Sequence, residues 1–103
     1  MYSVVFITAG KKAEARKIAK ALLKEKLVAC VNVVSGIESF FWWKGKIDRA
    51  QEVLLIAKTK STNIPKIIKK VKSVHSYDLP EIIALGITAG YAPYLKWIDE
   101  SLR

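Results

Sequence analysis

Cysteine and histidine are almost absent from the sequence, which contains one of each, Cys30 and His75. A single cysteine excludes a disulfide within the chain and is typical of a reducing compartment. No apolar run approaches the roughly 20 residues of a transmembrane helix, and the first eight residues are too short and too β-branched for a signal peptide. The sequence therefore predicts a soluble cytoplasmic protein with no membrane partner.

Recognised catalytic and nucleotide-binding motifs are also missing. The chain has no CxxC, HxxxH or HExxH spacing, no GxSxG, no P-loop and no GxGxxG. Cys30 and His75 are the only Cys–His pair, but Cys30 stands in the apolar segment Val28-Ala29-Cys30-Val31. A thiol in such a segment is more often a small core side chain than a nucleophile. We therefore expect a protein that is not an enzyme.

The charge is strongly one-sided, since 18 Lys and Arg against 9 Asp and Glu give a net charge of +9. Such a balance favours acidic partners, although lysines also simply solvate helix faces. Specific recognition of RNA would call for aromatic residues on a central strand, and the candidate strand Glu52–Lys58 has none. We expect no specific nucleic-acid partner. The 103 residues match one domain, 1–103.

Hydrophobic periodicity predicts the order β-α-β-β-α-β followed by a C-terminal helix. The predicted strands are 2–8, 27–34 continuing as 37–43 after a bend, 47–59 and 81–87, and the predicted helices are 11–26, a segment opening at 61–65 and a segment opening at Pro93. Lys44-Gly45-Lys46 is expected to be a three-residue turn in a long central hairpin. The order is typical of an α+β, ferredoxin-like fold, in which two helices cover one face of an antiparallel sheet.

The second face of that sheet needs a cover. Leu27–Val34 and Val53–Ala57 are nearly continuous apolar runs, which is typical of strands buried on both faces. We expect another copy of the chain to supply the cover, with the long hairpin as the contacting arm. The hairpin carries four consecutive aromatic residues at 40–43, two of which must face away from the local core. The alternative is that all four lie in the core of the monomer.

Polar residues that could form a site are few. Cys30, His75, Asp78 and Glu81 are the candidate metal ligands, but their spacing matches no established metal motif. Glu81 follows Pro80 at the start of a predicted strand and is the best candidate for a functional acid, with a structural cap or an inter-subunit salt bridge as the alternative. Only the fold can bring Cys30 and His75 together, because they lie on different elements.

Several blocks of sequence together resemble the CutA divalent-cation tolerance family. The blocks are Ala15–Ala19, Leu27–Asn32, Ser39–Lys46, Glu52–Thr59, His75–Ile82 and Tyr94–Trp97. They follow the family's order across nearly the whole chain, and their combination is specific although no single block is. The chain departs from the family pattern at Ser76, where the family usually has Pro, and at Asp78, where it usually has Glu or Gln.

The resemblance implies a cytoplasmic homotrimer with a role in copper and divalent-cation tolerance. The positions that the family shares map onto Cys30, Trp43, Glu52, Lys58, His75, Tyr77 and Glu81. On this basis we expect Cys30, His75 and Glu81 to bind copper(II) or another divalent cation. We expect Trp43, Glu52, Lys58 and Tyr77 to contact a ligand.

A second implication comes from the trimer, which resembles that of the PII signal-transduction proteins. The alternative function is therefore a sensor that binds a small anionic ligand in inter-subunit clefts. Lys58 and Arg16 at a subunit boundary would favour the anion, whereas convergence of the three predicted metal ligands would favour the metal.

Overall fold

A computed structural model describes residues 1–103 and contains four strands and three α-helices. The elements are β1 (Tyr2–Ala9), α1 (Lys12–Lys24), β2 (Cys30–Trp43), β3 (Lys46–Lys60), α2 (Ile64–Val74, preceded by a 3-10 turn), β4 (Ile82–Gly86) and α3 (Ala92–Ser101). The strands lie in the order β2-β3-β1-β4, and all neighbours are antiparallel. This confirms the predicted ferredoxin-like α+β fold. None of the helices is long and apolar enough to cross a membrane.

The hydrophobic core lies between the sheet and the first two helices. Val5 and Ile7 alternate with half-exposed residues along β1 and are fully buried, as expected for one face of a pleated strand. Ile18 of α1 and Ile67 of α2 belong to the same buried cluster. Helices α1 and α2 therefore cover the same face of the sheet.

The connection after α1 differs from the sequence-based expectation. Lys26 has a left-handed φ of 55°, and the N–H of Leu27 donates a 3.0 Å hydrogen bond to the carbonyl of Leu22. This geometry ends a helix and directs Leu27 and Val28 into the core. Strand β2 therefore begins at Cys30 and not at Leu27.

The hairpin turn is shorter than predicted. Lys44 and Gly45 form a two-residue turn with φ values of 50° and 78°, and Trp43 pairs with Lys46. Two positive φ values match the type I′ turn, whose twist fits that of the flanking strands. On the other arm, β2 has one extra residue between Val34 and Ile37, where the pairing shifts register.

The distal part of the hairpin protrudes from the sheet. β1 pairs with β3 only from Val53 to Lys60, so the segment of β3 from Lys46 to Glu52 pairs with β2 alone. The four aromatic residues of this arm are 37–73% exposed. The alternative that all four lie in the core of the monomer is therefore wrong.

Helix α3 covers one end of the second face of the sheet. Asp99 accepts a hydrogen bond from the hydroxyl of Tyr2 and lies 3.4 Å from Nζ of Lys60, and Ile98 is fully buried. Val4 and other residues on this face remain half-exposed. One chain therefore leaves most of this apolar face without a cover.

Candidate functional site

A cleft of about 830 Å³ lies where the protruding hairpin meets the loop between α2 and β4. Residues 38–43 of β2, with Asp48, Ala50 and Glu52 of β3, form one side. Residues 77–79 and Glu81 of the loop form the other, and Thr8 closes the base at the end of β1. The hairpin thus contributes one wall, and the α2–β4 loop contributes the facing wall.

His75 anchors this loop from behind. Its side chain has no exposed surface. Nδ1 accepts a 3.0 Å hydrogen bond from the N–H of Tyr77, and Nε2 lies 2.8 Å from the carbonyl oxygen of Thr8. Because Nδ1 accepts, the proton of the neutral ring must be on Nε2, which then donates to Thr8. Both ring nitrogens of His75 therefore form hydrogen bonds that hold the loop in place.

Glu14 fixes the same loop to α1. Its carboxylate accepts hydrogen bonds from the N–H of Ser76 at 2.7 Å and from the Ser76 hydroxyl at 3.0 Å, and it lies 3.9 Å from Nδ1 of His75. Burial disfavours the charged carboxylate, but the hydrogen bonds from Ser76 outweigh this effect and lower the pKa of Glu14. Helix α1 therefore holds the loop through an ionised carboxylate.

Tyr77 joins the loop to the hairpin. Its hydroxyl donates a 3.0 Å hydrogen bond to Oε2 of Glu52. Burial, followed by the hydrogen bond to Glu52, raises the pKa of Tyr77 to about 12. The ring passes close to Gly10, where a Cβ would lie only 3.0 Å from the phenol oxygen. A residue without a side chain at this position leaves room for the contact.

The cleft is acidic although the chain is basic. Five of the nine acidic residues line it, and none of the 18 Lys and Arg does. These acidic residues are Glu38, Asp48, Glu52, Asp78 and Glu81. Aromatic side chains at 40–43 supply much of the remaining lining. Such an arrangement attracts positive charge and repels anions.

Four of the seven predicted site residues line the cleft. They are Trp43, Glu52, Tyr77 and Glu81. His75 lies behind the loop, whereas Cys30 and Lys58 lie elsewhere, paired with each other across β2 and β3 on the second face of the sheet. Nζ of Lys58 donates a hydrogen bond to Oδ1 of Asn32.

Within one chain, the three predicted metal ligands do not converge. His75 contacts the carbonyl of Thr8 near the end of β1. Cys30 pairs with Lys58, which in turn pairs with Val4 of β1. Val4 and Thr8 are four residues apart on β1, so His75 and Cys30 are separated by about 13 Å along the strand direction. No group of three His, Cys, Asp or Glu side chains is close enough to hold a metal ion.

Lys58 and Arg16 do not form a basic cleft either. Lys58 lies on the second face of the sheet, and Arg16 is exposed on α1, which covers the first face. The sheet therefore separates these two cationic side chains.

Several residues of the site could not be recognised from the sequence. Glu14 contacts Ser76 across 62 residues of chain, and His75 contacts Thr8 across 67. No spacing signals these pairs. Asp48 is different, because it pairs with Phe41 in the hairpin. If the turn is taken as the two residues Lys44 and Gly45, the hairpin register places Asp48 opposite Phe41.

The family model described as CutA1 divalent ion tolerance protein matches residues 3–101. The chain belongs to this family. A divalent-cation tolerance protein CutA from Archaeoglobus fulgidus is 46% identical over 103 residues, which cover 100% of both chains. The chloroplastic protein CutA 1 from Oryza sativa is 44% identical over 97% of this chain, which spans 56% of the length of the rice protein. The predicted family resemblance is confirmed.

Solved structures of the family share the fold throughout. The structure described as the periplasmic divalent cation tolerance protein CutA from Archaeoglobus fulgidus has a TM-score of 0.97, with 46% identity and 100% of each chain covered. The divalent cation tolerance protein from Thermus thermophilus has a TM-score of 0.96, with 46% identity and 98% of each chain covered.

Proposed function

We propose that the protein is a homotrimer that contributes to divalent-cation tolerance by binding divalent cations, copper(II) included, without catalysing a reaction. The observation that carries this proposal is the charge of the cleft. Five acidic residues line the cleft and no basic residue does, in a protein of net charge +9. They are spread along the cleft and do not form a cluster of three ligands within one chain. The family's role in divalent-cation tolerance agrees with this charge.

The chemistry of the metal-ligating side chains supports a divalent cation. Carboxylate oxygens bind divalent metals, and affinity at a given site rises along the first-row series to Cu(II). Glu81 and Asp78 are both exposed on the loop, so the free energy of binding is expected to be modest in water. Glu52 already accepts a hydrogen bond from Tyr77. All charged side chains that line this cleft are negative, which disfavours an anionic ligand as in the PII-like alternative.

The trimer is supported by what one chain leaves exposed. A two-stranded arm is marginally stable alone, and the arm here carries Trp42 at 73% and Trp43 at 46% exposure. We propose that the arm and the uncovered face of the sheet pack against two further copies, so that the cleft lies at a subunit boundary. Sedimentation should show no folded monomer at micromolar concentration. Trp43→Ala should weaken the assembly, because truncating a core-like ring costs about 3–5 kcal/mol.

Calorimetric titration with Cu(II), Zn(II) and Mg(II) tests the cation site. The double variant Asp78→Asn/Glu81→Gln should lose at least tenfold in Cu(II) affinity. Glu25→Gln/Glu100→Gln, which removes the same charge outside the cleft, should bind as the wild type does. Zn(II) should bind less tightly than Cu(II), and Mg(II) least.

Two further variants separate the cleft from the residues outside it. Cys30→Ala should leave Cu(II) affinity within about twofold, because a residue distant from the site contributes independently. Loss of binding in Cys30→Ala, with the cleft variant unaffected, would instead place the site on the second face of the sheet. Each titration is paired with sedimentation, so that lost assembly is not mistaken for a lost ligand.

We also propose that the protein acts in the cytoplasm. The single cysteine, Cys30, is free and suits a reducing compartment. Cell fractionation with compartment markers tests this, and recovery with periplasmic markers would contradict it.

A further inference from the structure

The positive charge of the chain is confined to one layer of the molecule. Residues 11–26 and 64–74, which form α1, α2 and their ends, carry eleven Lys and Arg but only two acidic residues. The remainder of the chain carries seven basic and seven acidic residues. The whole net charge of +9 therefore belongs to the helical layer, and the rest of the protein is neutral.

The fold turns this charge outward on one continuous surface. Helices α1 and α2 pack side by side against the same face of the sheet, and their apolar stripes are buried in the same core. Ten of the eleven basic side chains are exposed, and they are Lys11, Lys12, Arg16, Lys17, Lys20, Lys24, Lys26, Lys66, Lys69 and Lys72. We call this surface the basic layer.

The basic layer is not neutralised by ion pairs. Its two acidic residues are already engaged, because Glu25 lies 2.5 Å from Nζ of Lys70 and Glu14 accepts hydrogen bonds from Ser76. None of the ten exposed basic side chains lies within ion-pair distance of an Asp or Glu carboxylate. Lys26 alone is engaged, because its Nζ donates a 2.8 Å hydrogen bond to the main-chain oxygen of Arg103. Lysines that only support a helix are often paired with Glu one turn away. The charge of this surface therefore remains available to a partner.

We propose that the basic layer binds the phosphate backbone of double-stranded nucleic acid without sequence preference. The 13 residues of α1 extend for about 20 Å. A duplex presents one negative charge per roughly 1.7 Å of its axis. A row of lysines along α1, with a second row on α2 beside it, complements such a polyanion in sign and in length.

The composition of the layer favours a duplex over other polyanions. Residues 11–26 and 64–74 contain no aromatic residue. Binding of single strands depends on aromatic platforms for the bases, and helices that lie in a membrane interface present Trp, Phe or Leu to the lipid. The exposed aromatic residues of this chain lie on the hairpin, on α3 and at Tyr91 just before it. The layer exposes two large apolar side chains, Leu23 at 41% and Ile68 at 37%, which is little apolar surface for contact with lipid. Backbone contact with a duplex needs none of these groups.

The basic layer and the cation cleft are independent. The layer covers the first face of the sheet, and it adjoins the cleft only where Lys11 and Lys12 line a small depression with Glu52. Lys17, Lys20, Lys24 and Lys69, which carry the test below, line neither depression. A trimer assembled through the hairpin would still present three such layers to solvent. Failure of the cation proposal would therefore leave this inference untouched, and the reverse also holds.

Fluorescence anisotropy with a labelled, random-sequence DNA duplex of about 30 base pairs tests the inference. The intact protein should bind with a dissociation constant of about 10⁻⁶–10⁻⁴ M at physiological salt. If about four phosphates are contacted, affinity should fall about 100-fold between roughly 50 and 200 mM salt. A second duplex of unrelated sequence should bind equally well.

Matched variants locate the surface. Lys17→Gln/Lys20→Gln/Lys24→Gln/Lys69→Gln should lower duplex affinity at least tenfold and flatten the salt dependence. Lys44→Gln/Lys46→Gln/Lys96→Gln/Arg103→Gln removes the same charge from the neutral remainder and should change affinity by less than threefold. Both variants are first checked for an unchanged oligomeric state.

Three outcomes would overturn the inference. Equal losses in the two variants would show a response to total charge and not a binding surface. Tighter binding to a single strand of the same length would indicate base stacking. Binding to phosphatidylserine vesicles, with no binding to the duplex, would make the partner an anionic membrane.

Discussion

The hydroxyl of Tyr77 donates a 3.0 Å hydrogen bond to the carboxylate of Glu52 and so joins the two walls of the cleft. Tyr77 belongs to the loop after α2, and Glu52 belongs to β3 at the point where the hairpin leaves the sheet. The bond ties a loop without regular secondary structure to the base of the protruding arm. Its loss should therefore alter both the stability of the protein and the shape of the cleft.

Tyr77→Phe tests this bond at alkaline pH. Burial and the hydrogen bond to Glu52 raise the pKa of Tyr77 to about 12, against about 10 in an unfolded chain. The folded state holds the proton more tightly, so its stabilisation is complete below pH 10 and is lost as pH rises toward 12.

Urea unfolding at pH 8 and pH 11 measures the effect. At pH 8, Tyr77→Phe should lower the free energy of unfolding by about 1 kcal/mol, since one hydrogen bond is removed. Between pH 8 and pH 11, it should lose less stability than the wild type. Tyr91→Phe, at a tyrosine with 76% exposure, is the control. An unchanged alkaline loss in Tyr77→Phe would contradict the assignment.

Glu14→Gln tests the anchor of the loop at acidic pH. The hydrogen bonds from Ser76 lower the pKa of Glu14, so its stabilisation is present above the unfolded value of about 4.3. It is lost as pH falls through the folded value. The variant should be less stable by about 1 kcal/mol at pH 7, because a charged acceptor becomes neutral.

At about pH 3, which lies below the usual carboxyl range, the difference between Glu14→Gln and the wild type should shrink toward zero. Denaturant unfolding at both pH values gives the comparison. Glu100→Gln, an exposed residue outside the loop, should show no such pH dependence. A deficit of the same size at both pH values would mean that the charge of Glu14 is irrelevant.

Gly10→Ala tests the close approach of the Tyr77 ring. The new methyl group would lie 3.0 Å from the phenol oxygen, so the ring must give way by a few tenths of an ångström. We expect this shift to weaken the hydrogen bond of Tyr77 to Glu52. We expect a loss of about 1 kcal/mol, at the low end for overpacking. NMR of the labelled tyrosine ring should also show a pKa for Tyr77 below that of the wild type.

The control for this substitution is Gly86→Ala, where a Cβ meets no atom within 4 Å. In the background of Tyr77→Phe, Gly10→Ala should cost less than in the wild type, because the clashing oxygen is gone. Full additivity of the two substitutions would argue against the contact.

Lys44→Asn tests the hairpin turn. Lys44 has a φ of 50° in a two-residue turn before Gly45, and Asn-Gly is the preferred pair for this conformation. The substitution should raise the free energy of unfolding by about 0.5–1 kcal/mol, since a left-handed Lys is strained. Lys46→Asn, which lies within β3, should destabilise. Thermal unfolding at a fixed protein concentration compares the two variants.

The fold was largely predictable because its signals are local. Alternation in β1 and the apolar stripe around Ile18 in α1 each identify an element and its buried face. The errors occurred where backbone conformation decided the outcome. Lys26 and Lys44 take left-handed conformations that usually call for Gly or Asn, so neither lysine signals the conformation it adopts.

The site was predictable only in part, because its contacts are non-local. Four of the positions that the family shares line the cleft, namely Trp43, Glu52, Tyr77 and Glu81. Periodicity assigns a residue to a face but does not say which residue lies opposite it on another element. For this reason the buried position of His75 could not be foreseen.

The extra residue in β2 has a consequence for the whole arm beyond it. Val34 pairs with Leu54 and Ile37 with Glu52, so β2 advances three residues while β3 advances two. The alternation of side chains therefore changes phase, and Phe41 and Trp43, not Phe40 and Trp42, point to the same side as Glu52. Deleting Gly36 would restore an uninterrupted alternation. Because Phe41 pairs with Asp48 and Trp43 with Lys46, the same two rings would stay on the side of Glu52. One missing glycine would then remove the local bend and extra twist of the arm and leave its aromatic pairing unchanged.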